Sequence, residues 1–314
     1  MSEKGVREGP DAEALGPVRA LLASAGALFI ALLIRVFGRT VKERDAAWLL
    51  GPFGGDYIGD KPYEECASRE GLSLIRGATE GGLIPDFDAL SGSGFDARRV
   101  HEQVRRFYEE TARFRMDVWA ETFFPANLGL FLLVTTISRK VNQLNFPLKV
   151  LETARGMASE IVLLNDSDGR TRYAGWYRRL VESGRVIYTG FYMTSRVPLS
   201  ERPCVKVVFP MPRGNATVIL RPSVDAEGHF ELSSEGKGFG DVGFYRVETL
   251  GKGELRVWRV RTLKEHFRVY VDDQGTLRCD HRIRFLGLPV LHLHYRIEAS
   301  HQARDENRDP ERAA

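Results

Sequence analysis

Beyond Gly156 the apolar residues recur at every second position, whereas before it they follow the three-and-four spacing of helices. Strand-like runs cover Glu160–Leu164, Thr171–Val181, Val186–Met193, Cys204–Phe209, Ala216–Pro222, Phe230–Ser234, Val242–Leu250, Leu255–Leu263, His266–Asp272, Thr276–Phe285 and Val290–Ile297. The breaks between them hold turn residues, among them Asp166-Ser167-Asp168-Gly169, Arg213-Gly214-Asn215, Gly251-Lys252-Gly253 and Asp272-Asp273-Gln274-Gly275. Short turns with no helix between strands make sequential antiparallel neighbours. The expectation is an α+β chain: a helical N-terminal region, then an antiparallel β-meander of about ten strands over residues 157–299. A meander of that size has two unpaired edges unless it closes, so a barrel is expected, with a two-sheet β-sandwich as the alternative.

Within the last two strands the alternation assigns faces. Leu277, Cys279, His281, Ile283 and Phe285 share one face, against Arg278, Asp280, Arg282 and Arg284 on the other. In the next strand Leu291, Leu293, Tyr295 and Ile297 oppose Val290, His292, His294 and Arg296. With the apolar set inward, His292 and His294 face outward. Hairpin register offers a second reading. A turn at Leu286-Gly287-Leu288-Pro289 sets His281 opposite His294 and gathers His281, His292, His294, Arg296 and Cys279 in one patch. A turn one residue different sets Asp280 opposite His294 and makes a solvated ion-pair ladder.

The first fourteen residues are polar and are expected to be disordered, as is the charged tail 300–314. Residues 15–44 contain the run Ala20–Ile34, whose single polar side chain is Ser24. It is close to the lower limit of about 17 residues for spanning a bilayer and is apolar on every side, so it reads as a membrane helix or a deeply buried one. No small-residue cleavage site follows it. Arg35, Arg39, Lys42 and Arg44 crowd its C-terminal flank, which would leave the body of the protein in the cytoplasm at the inner face of the membrane. Residues 45–156 read as helical with loops. The best helix starts after Asp96 and carries the stripe Val100, Val104, Phe107, Phe114 and Val118, with Thr111 in the gap; Pro125 ends it. Leu128–Ile137 is too short to span a bilayer and reads as a core helix.

A net charge of +3, from 45 basic and 42 acidic residues, points to no polyanionic partner, and no nucleic acid is expected. Cys66, Cys204 and Cys279 lie far apart, which argues against a disulfide scaffold. No dinucleotide fingerprint, G-x-S-x-G or H-E-x-x-H occurs, and no cofactor is indicated. Asn165-Asp166-Ser167 and Asn215-Ala216-Thr217 match glycosylation sequons but sit in turns where Asn is common.

His292-Leu293-His294 puts two imidazoles on one side of a strand, as a metal site wants. A third ligand would have to be His281, Cys279 or Asp280; no distant carboxylate is indicated, and no metal is expected. The candidates for acid–base work are His281, His292 and His294, with Asp86 and Asp88 on a Gly- and Pro-bounded loop that could equally cap a helix. Large side chains crowd the strands, and Trp176, Tyr188, Tyr192, Phe244, Trp258 and Arg296 are the candidate ligand-lining residues. This aromatic-rich meander resembles the calycin or lipocalin-like barrels as an analogy of fold, and the resemblance implies an interior able to enclose a small molecule. The leading functional expectation is therefore a protein that binds an apolar or amphipathic small molecule, a lipid among them, near the cytoplasmic membrane face. The alternatives are an enzyme (isomerase, cyclase or hydrolase) acting on a hydrophobic substrate there, and a structural protein with a filled barrel.

Overall fold

The computed structural model describes residues 28, 31–55, 58–123, 157–181, 184 and 186–300. Most of Ala20–Ile34, all of Leu128–Ile137 and nearly all of the C-terminal tail lie outside the described residues. Among those described, no helix is long and apolar enough to cross a membrane.

Fourteen strands make one antiparallel sheet. Three short or early ones are β1 (Arg39–Lys42), β2 (Ser73–Arg76) and β3 (Phe114–Thr122). The meander follows as β4 (Met157–Asn165), β5 (Thr171–Leu180), β6 (Val186–Val197), β7 (Ser200–Met211), β8 (Gly214–Val224), β9 (Phe230–Ser233), β10 (Gly243–Gly251), β11 (Glu254–Arg259), β12 (Leu263–Val271), β13 (Leu277–Phe285) and β14 (Leu288–Ala299). The main path runs β2-β4-β5-β6-β7-β8-β9-β12-β13-β14-β3. β8 is long enough to take two partners on one edge, β10 along Gly214–Ile219 and β9 along Arg221–Val224, and β11 and β1 extend that branch. No ladder joins the two ends of the path among the described residues, so the sheet is curled but not closed. Its ends nevertheless share one core: Phe114 and Met116 of β3 pack with Ile161 of β4 and Trp176 of β5.

The expected helix from Asp96 to Pro125 does not form as one piece. Asp96 instead caps a short 3-10 turn, Ala97–Arg99, by accepting from the Arg98 amide at 3.1 Å. Helix α2 is Glu102–Glu109 (α1 is Lys61–Glu70), and the chain turns at Thr111–Arg113 and runs on as β3. The reason is visible in the side chains. Phe114, Met116 and Val118 alternate with Arg115, Asp117 and Trp119, so this segment satisfies a period of two as well as the helical spacing. The otherwise open edge of β14 then supplies nine paired positions for it, from Leu291↔Thr122 to Ala299↔Phe114. Tertiary pairing overrode an ambiguous local pattern.

The concave side is filled in part by the chain between Leu83 and Tyr108, where Leu83, Phe87, Leu90, Val104 and Phe107 are fully buried against Val205, Val218, Phe230 and Val269. Among the described residues, the convex side is covered only over its first half. Helix α1 lays Tyr63, Cys66 and Ala67 on Val162, Leu164, Phe191 and Val208, and Gly175 leaves the room that the Tyr63 ring takes, since a Cβ there would stand 2.4 Å from it. The stretch around Ala46 and Leu49 covers Ile219, Tyr245, Val247 and Val257. This explains why β4–β8 carry apolar residues on both faces whereas β13 and β14 alternate cleanly. Lys206, on the covered face, is 3% exposed, and its ammonium donates to the Leu50 carbonyl.

The last hairpin adopts the second of the two registers. Its turn has two central residues, Leu286 (φ 52°) and Gly287 (φ 83°), with Phe285 paired to Leu288. An irregularity after Ile283 sets Ile283 opposite Leu291, and Asp280 therefore lies opposite His294 while His281 faces Leu293.

Leu286 is exposed at a left-handed backbone position, which costs a branched residue about 1–2 kcal/mol. Leu286→Asn should raise stability by about 1 kcal/mol, measured by thermal or denaturant unfolding; a fall would argue against the two-residue turn. Burial, with Arg172 adding to it, pulls the Lys206 ammonium from 10.5 down to about 8. Across that window the unfolded chain binds more protons than the folded one, so the contribution of Lys206 to stability rises with pH. A Lys206→Met chain should therefore lose ground to the wild type between pH 8 and pH 10, by on the order of 2 kcal/mol. Parallel pH profiles for the two chains would sink the idea.

Candidate functional site on the concave face

In the trough of the concave face, packed against the same core as the Leu83–Tyr108 segment, stand half-buried rings: Tyr188, Tyr192, Phe209, Phe244, Phe267 and Tyr295. Strand alternation puts them there. Trp176 and Arg178 point inward from β5, Arg178 lies opposite Tyr188 in the ladder with β6, and Ala174 lies opposite Tyr192. Gly190, between the two tyrosines, leaves space for the Phe209 ring. Trp176 meets Tyr188 edge-on at 5.7 Å and Tyr192 at 5.8 Å, and its indole N–H donates to Ser159 Oγ at 2.5 Å.

Arg178 is the unexpected member. It is 3% exposed, and its guanidinium lies 5.1 Å from the Trp176 ring, 5.9 Å from Tyr188 and 5.8 Å from Tyr295. Its Nη2 lies 3.7 Å from the Met157 sulfur, the guanidinium also donates toward the Tyr188 and Tyr295 hydroxyls, and buried Nε has no hydrogen-bond partner. No carboxylate among the described residues pairs with this charge. Buried arginines ordinarily carry an ionic partner, because an uncompensated buried charge costs several kcal/mol. Around it, burial pushes the Tyr188 hydroxyl up to about 12 and raises those of Tyr192 and Tyr295, while the Arg178 charge works the other way on Tyr188 and Tyr295. The site is thus a positive charge ringed by neutral phenols, each able to donate a hydrogen bond. Sequence reasoning passed over Arg178; the signal available was an arginine on the same strand face as Trp176.

The three candidate histidines do not converge. His281 lies on the concave face, 8% exposed at its side chain, with Nε2 3.1 Å from Glu265 Oε2 and its ring stacked on Phe267 at 3.7 Å. It sits two positions along β13 from Cys279, which faces Tyr295 across the ladder. His292 and His294 lie on the convex face with Arg282, Asp280 and Glu121. There His294 Nδ1 is 2.9 Å from Asp280 Oδ1, and burial, with the neighbouring His294, holds the His292 imidazole below its ordinary value. Asp86 caps the turn Phe87–Leu90 by accepting from the Ala89 amide at 3.1 Å, and Asp88 pairs with Arg105 at 2.9 Å. Both are committed to local structure at the surface.

The expected ligand-lining set also divides. Trp176, Tyr188, Tyr192 and Phe244 belong to the trough. Trp258 stacks instead on Phe37 at 6.2 Å and lines an open pocket of about 350 Å³ with Phe37 and Phe239. Arg296 stands on the convex face, paired with Glu298 at 2.7 Å. The reasons differ: Trp258 is on β11, which lies on the side branch, and even-numbered positions of β14 such as Arg296 point outward.

No family model matches this chain, and no curated protein or solved structure matches it either.

If Arg178 is held for a ligand rather than for the fold, removing its charge should not weaken the empty protein. Arg178→Met should leave stability unchanged or raise it by up to about 2 kcal/mol in denaturant unfolding. A loss greater than about 1 kcal/mol would mark Arg178 as a structural group.

Proposed function

We propose that the aromatic part of the trough binds a small amphipathic molecule whose anionic head, a carboxylate or a phosphate, sits at Arg178. The observation that carries this reading is the buried guanidinium without an ionic partner among the described residues. An anionic head would supply the missing counter-charge through short charge-assisted hydrogen bonds, and the rings of Tyr188, Tyr192, Phe209 and Phe244 would take its apolar body. In this reading the curled sheet serves as a calycin-like cup.

A membrane supplies such molecules, and the N-terminal segment supports contact with one. Residues 31–37 are helical, and Leu28, Leu32, Val36 and Phe37 are each more than half exposed, three of them at four-residue intervals on one side. Arg35 stands within this stretch and Arg39, Lys42 and Arg44 follow it, a composition suited to the anionic inner leaflet. We place the protein on the cytoplasmic face on that basis.

A second reading, an enzyme acting in the same cup, rests on the buried His281–Glu265 pair, which could move a proton at a bound substrate. The Leu83–Tyr108 filling favours the third, a structural sheet with no ligand, for its own part of the trough.

The test is mass spectrometry of molecules co-purifying with the full chain, followed by titration with a fluorescent fatty acid and its uncharged alcohol analogue. Arg178→Met should weaken the acid about tenfold or more and leave the alcohol nearly unchanged. Equal affinities of the acid for wild type and variant would refute the proposal. Turnover of the bound molecule that His281→Gln abolishes would favour the enzyme instead.

A further inference from the structure

The convex face of the last three strands carries a constellation that the proposed ligand cup does not use. β14 lies between β13 and β3, so His292 and His294 are flanked by Asp280 on one side and Glu121 on the other. Cα pairing sets Glu121 directly opposite His292 and Asp280 directly opposite His294. Glu121 is the carboxylate that the chain order hides. It comes from a segment with helical spacing, far from the H-x-H in sequence, and only the β3–β14 ladder brings it in.

The distances give each group a role. His294 Nδ1 lies 2.9 Å from Asp280 Oδ1, and since a carboxylate can only accept, that nitrogen carries the proton. His294 Nε2 then has its lone pair free and faces Glu121 Oε1 at 3.8 Å. His292 offers Nδ1 at 4.0 Å from the other Glu121 oxygen, which leaves its Nε2 facing Asp280 at 3.9 Å. That Nε2 is buried without a hydrogen-bond partner. One ligand atom from each of Glu121, His292 and His294 falls within a single sphere, all within 4.8 Å of one another. A tetrahedral site with metal–ligand bonds of about 2.0–2.1 Å places its ligands roughly 3.4 Å apart. Closing the remaining gap needs only a small movement, and β3 is an edge strand whose exposed Glu121 is free to make it.

We infer that Glu121, His292 and His294 form a binding site for a divalent first-row transition-metal cation, with Asp280 behind the two imidazoles as a positioning residue. A carboxylate hydrogen-bonded to the distal nitrogen of a ligating histidine fixes its tautomer and raises its basicity, the part that Asp280 already plays toward His294. Two histidines and one carboxylate leave at least one coordination position for water. Arg282, opposite His292, opposes a cation, but Glu121 and Asp280 together outweigh it. The other histidine–carboxylate group among the described residues, Asp225, Glu227 and His229, is of a different kind. Asp225 there accepts from the Glu227 and His229 amides at 3.1 and 2.9 Å, and Arg268 lies 3.5 Å from its second oxygen, so the group is complete as a turn.

The experiment is calorimetric titration of the purified full chain with Zn²⁺, alongside Glu121→Gln, His294→Ala, Asp280→Asn and His229→Ala. The wild type and His229→Ala should bind one Zn²⁺ per chain with the same affinity. Glu121→Gln and His294→Ala should lose that binding, and Asp280→Asn should weaken it about tenfold. Loss of binding in His229→Ala with retention in His294→Ala would overturn the assignment, as would a wild type that binds no Zn²⁺. Should the variants misfold, pulsed electron paramagnetic resonance of the Cu²⁺-loaded wild type decides. Coupling to two imidazole nitrogens supports the site, and none overturns it.

Discussion

A sheet that curls this strongly is stable only if its concave side is filled, because each inward-facing side chain otherwise stays in water. Here the filling is a segment with little regular structure, Leu83 to Tyr108, held by Phe87, Val104 and Phe107 against Phe230 and its neighbours. The Ile84 amide donates to the Tyr108 carbonyl at 3.0 Å, and Thr111 is tied to both Phe107 and Leu83, so the segment closes on itself before it docks. Around this filling the inward rings of Tyr188, Tyr192 and Tyr295 remain half-buried, and among them the chain places Arg178.

The molecule treats its charges in two contrasting ways. On the convex face of β13, β14 and β3 they are paired in rows: His294 with Asp280, Arg296 and Arg115 with Glu298, Arg278 with Asp272. Partly exposed pairs of this kind contribute little to stability and cost little. On the concave face one charge stands among aromatic rings without an ion pair among the described residues, where the cost of desolvation is greatest. Its ring contacts offset part of that cost, and a bound counter-charge would offset the rest. The contrast is why the cup, and not the more conspicuous histidine row, carries the functional proposal.

The covered and bare halves of the convex face have a common origin. Helix α1 and the stretch around Leu49 need apolar strand faces, and β4 through β8 provide them on both sides. Nothing among the described residues covers β12 through β14, and there the outward positions are His266, Arg268, Arg278, Asp280 and Arg282. The histidine and carboxylate side chains thus meet on an accessible surface of paired strands.

Strand positions and the faces of β13 and β14 were legible in the sequence, because alternation is local and each outward arginine announces its side. The inward placement of Trp176, Tyr188 and Tyr192 could be read in the same way. Register could not, since the one-residue shift comes from the irregularity between Ile283 and Arg284, which no residue there announces, and Leu286 gives no sign of a left-handed backbone. Nor could the fate of Phe114–Thr122, whose apolar spacing fits helix and strand alike until the open edge of β14 decides it. The sequence by itself determined which residues alternate and which side each strand shows. Tertiary structure alone decided which strands meet, and so brought Glu121 to His292 and Arg178 to Tyr295, because those contacts depend on hydrogen-bond partners far away along the chain.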